Sequence, residues 1–308
     1  MWRYKHGVSK LKYLLLAVMV LLIIVLAMKL FLQNNLPVIE INSQTDIPAN
    51  LRFVMETTVS DLPVEGELYK IKAKEYSDGE ANSLAQAFGI ADVITYNGDS
   101  NEWMAYQNGE LLIINGATSW WFYRNLAASK NTYNINVAVP TDEEAIVLAK
   151  EYIAKLGIDT NSLNTIAVGS TIASDKTLQK GIYFYQNVNG HELLGPPQLI
   201  VTIGDKGQLE GITSYYYEYE ADQIFRFKTI DQVMKELQSQ QVVYYGPETV
   251  LSEAKIYDFN LAYCQSNDIN LQHNYLVPVF LFNGEVETQG GPMQFSALVP
   301  AIKGITIN

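Results

Sequence analysis

In the stretch HELLG, His191 and Glu192 come nearest to a metal-hydrolase motif. A zinc site of that kind needs a second histidine one helical turn further on, so that two imidazoles share a face. HELLG lacks that histidine and lies in a segment with hairpin character, so zinc hydrolysis is unsupported. The sequence also has no G-x-S-x-G turn, no phosphate-cradling glycine loop before a helix and no EF-hand loop. Of the three histidines, His6 precedes a long apolar run, so a Ser or Cys nucleophile must find its base in His191 or His273. Cys264 and His273 are separated by QSNDINLQ, a loop-like stretch that does not fix their geometry. A buried structural thiol and a solvent-facing histidine account for both. No catalytic residue, cofactor or metal ligand is assigned, and the chain reads as a non-enzyme.

The run SYYYEYE offers contact chemistry instead. At strand alternation Tyr215, Tyr217 and Tyr219 share one face, while Tyr216, Glu218 and Glu220 share the other. The aromatic side is expected to pack on the helix that begins at Thr141, leaving the acidic side solvated. The alternative is an exposed ridge for a peptide or cationic partner, in which Tyr216, Glu218 and Glu220 are the contact residues. Alternating strand carboxylates rarely converge on one ion, so a Ca²⁺ site on Glu218, Glu220 and Asp222 is the weakest use of the run. Trp120-Trp121-Phe122-Tyr123 puts large aromatics on both faces of one segment, and burial between sheet and helix is the expectation.

These residues follow an apolar stretch, YLLLAVMVLLIIVLAMKLFL at positions 13–32. Its twenty residues match the roughly 30 Å hydrocarbon core of a bilayer at helical rise. No small-x-small cleavage site follows it, so a retained single-pass anchor is expected. Arg3, Lys5, Lys10 and Lys12 precede it without an acidic residue, which places 1–12 in the cytoplasm and the bulk of the chain outside the cell membrane. Ala17 and Ala27 are the small residues available there for helix–helix contact, ten apart and on one side of a helix. With Lys29 the stretch 1–32 takes five of the 21 basic residues, leaving sixteen against all 33 acidic ones, a formal −17. That charge argues against nucleic acid as a partner and tolerates cationic ones. A single cysteine excludes an internal disulfide, so the remainder must be held by its core.

After a proline- and amide-containing linker at 33–50, the chain repeats one pattern. Ser77 with Glu80, Thr141 with Glu144 and Thr229 with Gln232 each read as the capping box of a helix start. The middle helix carries Ala145, Leu148, Ala149, Tyr152, Ile153 and Leu156 on one face and stops at Gly157. Each helix precedes strand-like segments with an Asn-Gly that predicts a two-residue hairpin: Asn108-Gly109, Asn189-Gly190 and Asn283-Gly284. LIVTI, the turn Gly204-Asp205-Lys206-Gly207 and QLEGITSYYYEYE predict one further hairpin, and YNINVAVP a half-buried strand ended by Pro140. The expected fold is α+β: tandem modules of antiparallel sheet with a helix on one face, at 51–139, 140–227 and 228–308, after an N-terminal transmembrane helix.

GIYFYQNVNGHELLG followed by LIVTIGDKGQLEGI resembles the strand half of PepSY-type domains. TIDQVMKELQ, KIYDFNLAYC, NYLVPVFLFNGEV and QFSALVPAI are similar to the C-terminal unit of the YycH/YycI class, single-span extracytoplasmic regulators of a sensor kinase in cell-wall metabolism. The resemblance implies PepSY-like modules at 140–227 and 228–308, a role exercised by protein contact, and a membrane protein such as a sensor histidine kinase, or a related regulator, as partner. It transfers no catalytic residue. The expected function is thus two-component or cell-envelope regulation by contact. The alternative is a PepSY-like inhibitor or chaperone of an extracellular peptidase, working by strand addition at a sheet edge.

Overall fold

The computed structural model describes residues 47–48, 51–57, 63–72, 75–90, 94–116, 120–129, 137–173, 175–216, 218–251, 253–265 and 275–303. In chain order the elements are β1 (Phe53–Met55), β2 (Glu65–Lys72), α1 (Asp78–Ala87), β3 (Ile94–Asn97), β4 (Glu102–Gln107), β5 (Glu110–Asn115), β6 (Trp121–Asn125) and α2 (Leu126–Ser129). Then come α3 (Asp142–Lys155), β7 (Leu163–Ala173), β8 (Lys176–Val188), β9 (His191–Leu194), β10 (Leu199–Ile203), β11 (Leu209–Ser214) and β12 (Glu218–Arg226). Last are α4 (Ile230–Gln238), β13 (Val243–Tyr245), β14 (Ala254–Gln265), β15 (Tyr275–Thr288) and β16 (Gly291–Pro300).

The three longer helices start where reciprocal capping fixes them. The Ser77 and Thr141 amides donate to Glu80 and Glu144 at 2.9 and 3.0 Å, while the Glu80 and Glu144 amides donate back to the Ser77 and Thr141 hydroxyls. The Thr229 amide donates to Gln232 Oε1 at 3.0 Å. Asn108-Gly109 and Asn189-Gly190 both hold positive φ at both positions, the turn that joins β4 to β5 and β8 to β9 with the strand twist preserved.

Two antiparallel meanders, β3-β4-β5-β6 and β7-β8-β10-β11, join through their last strands: β6 pairs antiparallel with β11, Tyr123 opposite Ile212. Together they make one run of eight strands, β3-β4-β5-β6-β11-β10-β8-β7. Helices α1 and α3 cover the same face of it, Ala81 and Ala85 from one and Ala145, Ala149 and Ile153 from the other entering a core with Leu112, Tyr123, Phe184 and Ile212. Full burial of each large side chain there is worth about 1.5–3 kcal/mol.

The chain leaves this sheet after Ser214 and enters a second one at β12, whose partner is β2. There β14, β15, β16 and β13 lie in that order, with β1 parallel to β14 and β2 joined to β15 through Leu276 and Tyr69. Val233 and Leu237 of α4 enter this second core, beside Phe53, Tyr244, Phe280 and Phe282. The two sheets are stitched by the β8–β9 hairpin, whose β9 runs parallel to β14, Leu193 opposite Tyr263. Val188, Leu193, Tyr69, Tyr263 and Leu276 form a small third core at that seam.

Several expectations are corrected. The described residues do not form three consecutive antiparallel modules, and the expected N-terminal transmembrane helix is not supported. β1 and β2 complete the sheet built by β12 to β16, β3 to β6 share one sheet with β7, β8, β10 and β11, and the β1–β14 and β9–β14 pairs are parallel, so the strand network is mixed. The expected localisation, a single-pass protein of the cell membrane, is not supported either. Among the described residues no helix is long and apolar enough to cross a membrane. The longest, α3, has 14 residues, about 21 Å, and carries charges from both signs. The stretch 13–32, with Ala17 and Ala27, lies outside the described residues.

Asn283-Gly284 is no turn: it sits inside β15, paired with β14 on one side and β16 on the other, and the chain reverses beyond Thr288. Of YNINVAVP, 137–140 are described and adopt no strand. SYYYEYE does not extend the β10–β11 hairpin either, because β11 ends at Ser214 and the following residues carry the chain across to the second sheet.

Candidate functional site

Strand alternation sends every second residue of the eight-stranded sheet away from the helices. Cross-strand register aligns those residues into one row. Thr95, Met104, Ile113 and Phe122 follow one another across the first meander, and Thr213, Ile200, Tyr183 and Ala167 continue it across the second. The neighbouring core-facing residues, Trp103, Ile114, Ile182 and Val201 among them, are buried under α1 and α3. Ile113, Phe122, Ile200 and Tyr183 remain partly accessible, and Met104 and Tyr106 are 51% and 62% exposed. A soluble sheet face is normally polar where it meets water. Here Met104, Ile113, Phe122, Ile200, Tyr183 and Ala167 make six of the row's eight positions apolar or aromatic, with Thr95 at one end and Thr213 between Phe122 and Ile200.

The row begins in a hollow of about 470 Å³ lined by Thr95, Tyr96, Met104 and Ile113, with Asp99 and Glu102 also in its wall. Tyr96 leans on Trp103 at 4.8 Å and its hydroxyl donates to Asn101 Oδ1 at 3.2 Å, which holds one side of the hollow. At the far end, Gly169 and Gly181 are paired opposite each other, and the Tyr183 ring lies over both. A β-carbon on Gly181 would stand 2.9 Å from the Tyr183 hydroxyl, so the two glycines let the ring lie down on the sheet. Between the two ends Arg124, exposed, is opposite Gly211 on β11.

Beside Arg124, Glu210 occupies the irregularity where Ile203 pairs with Leu209 and Thr202 with Gly211. It is 4% exposed, its side chain stands where Gly204 would carry a β-carbon, and among the described residues its Oε2 has no hydrogen-bond partner. Burial pushes its carboxyl above the usual range, Arg124 opposes the shift and Asp205 adds to it.

A second groove, of about 700 Å³, lies on the helix side, between the start of α3 and the β10–β11 turn, with Val139, Pro140, Val147, Leu148 and Lys206 in its lining. The Lys206 amide donates to Ala138 O at 2.8 Å and the Ala138 amide to Asp205 Oδ1 at 2.7 Å, tying the lead-in of α3 to that turn.

The residues singled out from sequence do not converge. Tyr216 is partly buried against the first core, its hydroxyl 3.0 Å from Ser162 Oγ. Glu218 and Glu220 are exposed on β12 of the second sheet, and Glu220 pairs with Lys72 at 3.0 Å. The alternation that put the three on one face breaks where the chain changes sheets. Tyr217 and His273 lie outside the described residues, so the proposed aromatic side of SYYYEYE is seen only through Tyr215, 40% exposed, and Tyr219, packed on Tyr69 at 5.2 Å. Trp121 and Tyr123 enter the first core while Phe122 joins the open row, so WWFY serves both the core and the outer face.

His191 lies on the β8–β9 hairpin, 6.2 Å from the Tyr263 ring. Cys264 is buried, and burial pushes its thiol up to about 12. Among the described residues no group of three or more His, Cys, Asp or Glu could hold a metal ion. Sequence reasoning missed the open row. Its trace was there in the nearly continuous apolar runs of ELLII, GIYFY and LIVTI, which leave no polar face.

Compared with known proteins, the chain matches no family model and no curated sequence.

Proposed function

We propose that this protein regulates another protein by contact, and that the open face of the eight-stranded sheet is its recognition surface. The observation that carries the reading is the registered row from Met104 to Tyr183, apolar or aromatic at every position but Thr213 and running across two meanders on the face opposite α1 and α3. Exposed contiguous apolar surface of this kind marks a site of protein contact. The hollow at its β3 end, with Met104 and Ile113 in its lining and Asp99 and Glu102 beside them, suits a partner segment that presents an apolar side chain flanked by a cation. The chain's net charge of −12 favours the same partner. A sensor kinase of the cell envelope, the partner implied by the resemblance to the YycH/YycI class, is the regulated protein in this reading.

The test compares the full-length chain with its Met104→Glu/Tyr106→Glu variant for their effect on the autophosphorylation of a sensor kinase from the same cell. Both positions are exposed, so the variant keeps the fold, which circular dichroism checks. The reading expects the wild type to change the kinase rate and the folded variant to leave it unchanged. Equal effects from both chains, or none from the wild type, overturn it.

A further inference from the structure

The outer strands of the two sheets are protected unequally. β12 carries Glu218, Glu220, Asp222 and Arg226 and breaks register between Ala221 and Gln223. β3 and β13 have only four and three residues. Short length, charge and irregularity are the devices by which outer strands avoid pairing with other chains. β7 has none of them along its middle: its eleven residues, LNTIAVGSTIA, contain no charge and no proline, and they pair with β8 on one side. Its register irregularities sit near the two ends, leaving seven consecutive residues from Thr165 to Thr171 in unbroken register with β8. Among the described strands, none pairs with the other side of β7.

We infer that β7 is the interface of a symmetric dimer, pairing antiparallel with β7 of a second copy of this chain. Three features favour a second copy as the occupant. The edge is uncharged within a chain of net charge −12, so a partner selected by charge has nothing to read on it, whereas an identical neutral strand meets no repulsion there. The chain already joins two meanders in the same manner, β6 to β11, edge to edge and antiparallel, and a β7–β7 pair repeats that union at the other end of the second meander. Antiparallel pairing of a strand with itself is isologous, so it closes at two copies and leaves no β7 free to propagate a fibre. The dimer continues the open row through Ala167 into the second copy, making one sixteen-stranded surface. This inference is independent of the regulatory reading, since a dimer forms or fails whatever the sheet face binds.

The test places single cysteines in the full-length chain, with a non-ionic detergent present to keep the apolar stretch 13–32 from associating. Ala167→Cys puts an exposed thiol at the middle of β7, and Ala221→Cys puts one on the charged outer strand β12 as control. The native Cys264 is buried and does not compete. Under mild oxidation, Ala167→Cys is expected to form covalent dimer about tenfold or more faster than Ala221→Cys, the advantage that a held pair has over chance encounter. Ala167→Lys, at the same exposed position, is expected to convert a sedimenting dimer into a monomer that keeps the wild-type circular dichroism spectrum and whose melting temperature no longer depends on protein concentration. A wild-type monomer at all concentrations, a dimer untouched by Ala167→Lys, equal cross-linking of the two cysteines, or open-ended assemblies each overturn the inference. So does a monomer whose β7 takes up an extended foreign peptide instead.

Discussion

A β-carbon on Gly284 would stand 2.1 Å from the carbonyl oxygen of Lys255. Gly284 lies inside β15, opposite Ile256, where β14 slips register between Ile256 and Asp258 and its backbone comes close. The phenyl edge of Phe295 closes the other side at 2.7 Å. Backbone cannot move aside as a flexible side chain can. Gly284→Ala is therefore expected to destabilise the protein by roughly 2–4 kcal/mol, at the high end for a single substitution. Gly190→Ala, where φ is +83° and nothing lies within 4 Å, should cost only the backbone strain, about 1 kcal/mol. Denaturant titration of the two variants measures the difference, and equal losses would refute the close-approach explanation.

Glu210 links stability to pH. Its carboxyl is raised from the ordinary 4.5, first by burial, with Arg124 lowering and Asp205 raising it further. Below 4.5 the folded and unfolded chains both hold the proton and the group is neutral to stability. Between 4.5 and the raised value only the folded chain holds it, so stability falls as pH rises; above the raised value the penalty is complete. Glu210→Gln removes that slope. The variant's stability relative to wild type is expected to climb as pH passes 4.5 and then level off, as read by melts in a pH series. A difference that stays flat or shrinks with rising pH contradicts the buried-carboxylate account.

Cys264 should be chemically silent until the protein opens. Burial pushes its thiol from 9.0 to about 12, which lowers the thiolate fraction at pH 8 by about a thousandfold. Labelling by a thiol reagent is expected to be negligible in native buffer and complete in denaturant. Rapid labelling of the native chain would show that the seam between β9 and β14 breathes.

Tyr263 sits at the seam between the two sheets, opposite Leu193 in the β9–β14 pair and in one small core with Val188. It is 2% exposed, lies 5.5 Å from Tyr69 ring to ring, and donates its hydroxyl to Glu67 O at 3.2 Å. Tyr263→Ala is expected to cost about 3–5 kcal/mol and to separate the calorimetric melt into two transitions, one for each sheet with its helices. Tyr263→Phe, which keeps the ring and loses one hydrogen bond, should cost about 1 kcal/mol and keep a single transition. A single transition in both variants would show that the sheets do not depend on this seam for their coupling.

Much of the local structure was legible. Ser77, Thr141 and Thr229 announce their helices because a capping box depends only on residues three apart. Asn108-Gly109 and Asn189-Gly190 announce their hairpins because a two-residue turn depends on two φ angles. Asn283-Gly284 carries the same letters and misleads, since that glycine answers to a distant backbone carbonyl rather than to a turn. SYYYEYE misleads in a related way: its alternation is sound on either side, but Tyr216 ends in one core while Glu218 and Glu220 stand on another sheet.

Alone, the sequence determined the helix starts, two of the three Asn-Gly turns, the acidic balance and the burial of a lone cysteine set in an apolar run. Those properties reside in composition or in residues within a few positions of each other. Only the tertiary structure decided that β1 and β2 close the sheet that holds β12, that two meanders fuse through β6 and β11, and that the row from Met104 to Tyr183 faces away from the helices. Strand neighbours are chosen by the fit of side chains far apart in the chain, and a run that is apolar on both faces does not say which face the helices will cover.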